Sequence, residues 1–103
     1  MTIPRPQNWQ ADLEKSSPEM MKHIASLREA LQGDGALSAK TKVLMMMLCD
    51  SLGAHPDGVA ALAERARALG ASEAEIAETV GVAFLMGGMP GLVTGANAFR
   101  KQA

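Results

Sequence analysis

A chain of 103 residues with ten Lys and Arg against eleven Asp and Glu has the length of a single domain. Its net charge of -1 argues against the clustered basic face that a nucleic-acid partner needs, and its single cysteine, Cys49, excludes an internal disulfide or a multi-thiolate metal site. With 48% hydrophobic residues, only three aromatics (Trp9, Phe84 and Phe99) and eight Met, small and flexible side chains must fill the core, and so short a chain gains from association.

Helical spacing dominates and strand alternation is nearly absent, which predicts an all-α fold of about five helices. The start, MTIPRPQNWQADLEK, has no apolar h-region and reads as an N-terminal arm over 1–15, with a helical turn or two from Trp9 to Lys15; cytoplasmic residence is expected. The helical domain follows over 16–103. Ser16, Pro18 and Glu19 open a helix that Gly33 stops, with Met20, Ile24, Leu27 and Leu31 on one face and His23 on the exposed side. Ser38 caps the next helix, running to about Leu52 before Gly53. Its stretch from Val43 to Cys49 is apolar around the whole circumference, more than a monomer of this size buries, so part of it is expected to face another subunit.

Asp57 is expected to cap a helix from Gly58 to Leu69, with Val59, Leu62, Ala63, Ala66 and Leu69 inward. Ser72-Glu73-Ala74-Glu75 is a capping box for a helix through Ile76, Val80, Ala83 and Phe84 to about Met86. Gly87-Gly88-Met89 makes a turn, and Pro90 opens a last helix ending near Lys101. The uncharged stretch from Thr79 to Phe99 has the length of a membrane span, but Gly87, Gly88, Pro90 and Gly91 sit in its middle, so no membrane partner is expected. Gly91 and Gly95 form a GxxxG pattern suited to tight helix packing.

The order of these segments carries a resemblance. Leu37-Ser38-Ala39-Lys40-Thr41-Lys42, the apolar helix, Gly70-Ala71-Ser72-Glu73-Ala74-Glu75-Ile76 and the segment from Gly81 to Pro90 together resemble the carboxymuconolactone decarboxylase family, which includes the alkyl hydroperoxidase D-like proteins. The likeness covers roughly 19–99 and implies that family's helical bundle and a homo-oligomer, a trimer or hexamer. The redox branch of the family carries a Glu, then Cys-x-x-Cys-x-x-x-His about a dozen residues later; two thiols at i and i+3 near a helix start let one attack and the other resolve. Counting from Lys40-Thr41-Lys42 and from Gly70 places these positions at Val43, His55, Gly58 and Leu62. All four are substituted. The decarboxylase branch lacks the thiols but keeps the histidine that falls at Leu62.

The remaining candidates are weaker. Cys49, inside the apolar run, reads as an inert core thiol. His55 stands at the helix start where the family's reactive group sits, and Asp57 is close enough in sequence to orient its imidazole; an ordinary turn and a helix cap account equally for the two. Met46, Met47, Met86 and Met89 could line a pocket, although methionine at helical spacing is more often filler. The expected function is therefore a non-redox oligomeric protein with a small-molecule ligand left open. The alternatives are a non-redox enzyme using His55 for decarboxylation, lactone or proton-transfer chemistry, and a Met-lined site for an apolar ligand or metal. No cofactor is implied.

Overall fold

A computed structural model describes residues 8–101; residues 1–7 of the expected N-terminal arm lie outside the described residues. Within them every regular element is helical, as the apolar spacing predicts. The chain divides into two compact units after Gly33.

The first unit holds α1 (Trp9–Ser16) and α2 (Pro18–Gln32). Asn8 caps α1 by accepting a hydrogen bond from the Ala11 N–H at 3.2 Å. Ser16 belongs to α1, so the cap of α2 is Ser17 rather than Ser16, and it makes no side-chain cap bond; its N–H instead closes α1 by donating to the Leu13 carbonyl at 2.7 Å. Pro18 at the first helical position needs no N–H partner there. Arg28 stacks over Trp9, 5.3 Å from the ring centroid. The face carrying Met20, Leu27 and Leu31 is exposed, and His23 lies 3.6 Å from Glu19 on the solvent side.

The second unit holds α3 (Ala39–Leu52), α4 (Pro56–Ala68) and α5 (Glu73–Gly95), closed by a 3-10 turn, Ala96–Phe99. Two caps act as their sequences demand: Ser38 accepts from the Thr41 N–H at 3.0 Å, and Ser72 and Glu75 form a reciprocal capping box. Helix α4 starts earlier than expected. His55 is its N-cap and Pro56 its first residue, while Asp57 lies in the first turn and caps nothing; Pro56 presets the helical φ, and its missing N–H would have no helical partner at this position in any case.

Helices α3 and α4 both end with a residue in the left-handed region, held by a six-residue hydrogen-bonded loop. After α4 this residue is Gly70 (φ 93), with the Ala71 N–H donating to the Ala66 carbonyl at 2.9 Å. After α3 it is Ala54 (φ 59), one place beyond the glycine at 53, with the His55 N–H donating to the Asp50 carbonyl at 3.0 Å.

Helix α5 is two arms rather than one rod. Gly88 has φ 66 and ψ -155, a conformation essentially reserved for glycine, and the chain doubles back there. A Cβ on Gly91 would stand 2.5 Å from the Ala83 carbonyl oxygen, and one on Gly95 would stand 3.1 Å from Val80 Cγ1 and 3.2 Å from Ser51 Oγ. In a straight helix residues 80 and 95 would be about 22 Å apart. The segment Glu73–Phe99 is long and apolar enough to cross a membrane by length and composition, yet the fold-back divides it into two short antiparallel arms, with the GxxxG glycines at their seam. The expected turn at 87–89 is thus present, and the helix after Pro90 gives way to the 3-10 turn before reaching Lys101.

The core is a cluster of small and flexible side chains from all three helices and the closing turn, among them Val43, Met47, Val59, Ala63, Ala66, Ile76, Val80 and Ala98. Val43, Met47 and Ser51 form the inward stripe of α3, spaced by four. The one buried polar side chain described, Ser51, donates to the Met47 carbonyl at 2.8 Å, which satisfies its hydroxyl. Arg67 ties the three parts together: it pairs with Glu64 and with Glu73, each at 2.6 Å, and donates to the Ala98 carbonyl at 2.9 Å.

Candidate functional site

The turn between α3 and α4 brings together what the sequence spacing singles out. Of the four family positions, Val43 is buried in the core, His55 is the N-cap of α4 and Gly58 lies in its first turn, and Leu62 lines a cavity one turn further on. Positions 55 and 58 therefore do stand at a helix start, where two side chains at i and i+3 share a side.

The space of a side chain at position 58 is already taken. A Cβ on Gly58 would overlap the Asp50 carboxylate at Oδ2, so the acid at the end of α3 packs against the bare Cα of α4's first turn. A side chain here would have to displace the Asp50 carboxylate, the movable end of its side chain, and no unusual backbone conformation is involved. Among the described residues no hydrogen-bond or ion-pair partner of the Asp50 side chain is present.

Beside it lies a cavity of about 510 Å³. Helix α3 supplies Lys42, Met45, Met46, Cys49 and Asp50, α4 supplies Leu62, and Leu37 stands before α3. The wall is apolar, with one charged residue at each end of the α3 stripe. Lys42 and Asp50 are separated by about 12 Å along the helix, and Lys42 already has a partner. A smaller groove of about 160 Å³ runs between α3 and α5 past Leu44, Leu48 and Val82.

The sequence-derived candidates separate. His55 is exposed and does not line the cavity; its ring folds back so that Cδ2 stands 2.9 Å from where a Cβ on Gly53 would be. Asp57 does not orient it: the Asp57 carboxylate accepts from Arg100 at 3.2 Å. Met46 lines the cavity together with Met45. Met47, one residue on, points into the core at 0% exposure, while Met86, at 74%, and Met89 stand exposed on either side of the α5 bend. Three of the four expected pocket methionines are thus elsewhere: Met47 because neighbouring positions on a helix diverge by about 100°, Met86 and Met89 because they stand at the bend of α5.

Cys49 requires the opposite correction. It is exposed and forms part of the cavity wall, not an inert core thiol. A run that is apolar on all sides does not say which side the chain covers; α4 and α5 cover the stripe of Val43 and Met47, and the stripe of Met45 and Cys49 is left open. Asp50 and Lys42 were not singled out by sequence as site residues, although they bracket the apolar run from Val43 to Cys49.

On the rim of the unit, Lys40 pairs with Glu75 at 3.0 Å. The Ser72 backbone N–H, which donates to Glu75 at 2.9 Å, and then Lys40 hold the Glu75 carboxyl below its ordinary pKa. Arg67 does the same to Glu73, mainly through its hydrogen bonds. Both acids serve the architecture and lie outside the cavity lining. Among the described residues no three His, Cys, Asp or Glu side chains gather as a metal-binding group.

The family model for carboxymuconolactone decarboxylases matches residues 18–101. In structure, the chain is similar to the crystal structure of an apo carboxymuconolactone decarboxylase family protein from Legionella pneumophila. The two share 36% identity with a TM-score of 0.77, over 85% of this chain and 79% of that one. A comparison with curated proteins gives no match.

Proposed function

Because the chain belongs to the carboxymuconolactone decarboxylase family, we propose that it is a non-redox member that binds a small, largely apolar molecule in a cavity beside the helix start where the redox branch carries its dithiol. The observation that carries this reading is the cavity of about 510 Å³ lined by Leu62 and by Asp50, whose carboxylate rests against Gly58. Its volume is that of a small-molecule site, and its wall is mostly apolar with few polar groups, as such sites are. Position 58, where a resolving thiol would stand, offers only the Asp50 carboxylate, so a disulfide cycle within this site has no second sulfur. Asp57 pairs with Arg100 and His55 stands outside the cavity lining, which favours binding over proton-transfer catalysis.

Titration with 1-octanol, followed through methyl-labelled methionine resonances, tests the reading. Saturable shifts at Met45 and Met46, with Met47 unmoved, support it; absence of any shift at millimolar octanol overturns it. Turnover of a hydroperoxide with a thiol reductant, abolished by Cys49→Ser, would overturn the non-redox part.

The same proposal includes assembly into a homo-oligomer, a trimer or hexamer, in the cytoplasm. Leu85, at 77% exposure, with Met86, Met89 and Val93, leaves an apolar surface at the α5 bend of the kind that soluble chains cover by association. Light scattering that finds a monomer at micromolar concentration would defeat this part.

A further inference from the structure

We infer that the cavity selects a cationic amphiphile, an alkyl or aryl chain carrying a protonated amine, with the ammonium group at Asp50 and the apolar chain along Met45, Met46 and Leu62. This rests on the reading of the cavity as a small-molecule site and names the chemistry of its ligand.

Two observations converge. The Asp50 carboxylate is half-buried at the cavity's edge, held against the Cα of Gly58, and among the described residues it has no donor. A carboxylate partly removed from water retains its need for donors, and whatever enters beside it must supply them or be penalised. An ammonium supplies three donors and the opposite charge, a charge-assisted bond of the stronger kind. Lys42, at the far end of the same stripe, stands about 12 Å away along the helix, and among the described residues it makes no ion pair with Asp50. The rest of the wall offers methionines and leucines, which suit a flexible chain.

Three probes of equal length separate the terms: octylamine, which is protonated at pH 7, 1-octanol and octanoate. Methionine-methyl resonances and calorimetry are expected to show octylammonium binding at least tenfold more tightly than octanol, and octanoate more weakly than either. Asp50→Asn, which keeps shape and removes charge, is expected to bring octylammonium to within about twofold of octanol. Octanoate binding as tightly as octylammonium, in the unaltered protein, overturns the inference. So does an Asp50→Asn protein that still prefers the amine tenfold. If octanol shifts Met45 and Met46 but the amine has no advantage, the charge selection fails and the apolar site stands; if none of the three binds, both fail.

Discussion

The carboxylate of Asp50 rests in the volume that a side chain on Gly58 would fill. The two residues are on consecutive helices, and the loop between them is closed by the His55 N–H donating to the Asp50 carbonyl at 3.0 Å. The missing side chain of one residue is therefore the seat of the other. Gly58→Ala should expel the carboxylate toward solvent. The expected stability change is within about 1 kcal/mol, since the helix-propensity gain of replacing glycine offsets the displaced acid. Any preference for octylammonium over octanol should fall, with octanol binding retained; urea unfolding and the same titrations report both.

The bend of α5 concentrates backbone requirements in two glycines. Gly88→Ala places a Cβ in a glycine-only conformation and is expected to cost about 1–3 kcal/mol. Gly91→Ala meets the Ala83 carbonyl at 2.5 Å and should cost a similar amount, about 1–3 kcal/mol, because backbone has little room to yield. Gly81→Ala, where nothing lies within 4 Å of the added carbon, is the control: it should be neutral or stabilising. Denaturant midpoints of the three variants measure the contrast.

Ala54 occupies the left-handed position that Gly70 occupies after α4. An L-residue there costs about 1–2 kcal/mol, so Ala54→Gly should raise stability by about 1 kcal/mol after the added entropy of the unfolded glycine is subtracted. A lowered midpoint would show that the turn is held by something other than local backbone preference.

Glu75 and Glu73 make the acid limb of the stability curve. Both carboxyls lie below their ordinary value of 4.5 in the folded chain, Glu75 through the Ser72 N–H and then Lys40, Glu73 through Arg67. The unfolded chain therefore binds more protons in that range, and stability rises with pH across it. The contribution is fully present above the ordinary carboxyl value and is lost as pH falls through the lowered folded one. Glu75→Gln is expected to flatten this limb, so that the difference between urea midpoints at pH 7 and pH 3 shrinks relative to the parent protein.

Cys49 stands on the open side of α3. In the native protein it should react stoichiometrically with a thiol reagent without denaturant, and octanol in the cavity should slow that reaction. A thiol that reacts only after unfolding would place this face of α3 under a second copy of the chain.

What the sequence alone determined is what hydrogen bonds within a few residues determine. Ser38 and Ser72 start helices because their hydroxyls meet the N–H three residues on, and Gly88 breaks α5 because its backbone conformation is essentially reserved for glycine. The all-α class follows from the same local periodicity, whereas positions 55, 58 and 62 are singled out by the family resemblance. The tertiary structure decided which side of each apolar helix is covered. Between Val43 and Cys49 every direction is apolar, so the pattern contains no choice between the stripe of Met47 and the stripe of Met46 and Cys49; packing of α4 and α5 made it. The tertiary structure also drew Asp57 to Arg100, 43 residues away, and set Asp50 against Gly58, pairings that depend on how helices cross rather than on anything a local window of residues can encode.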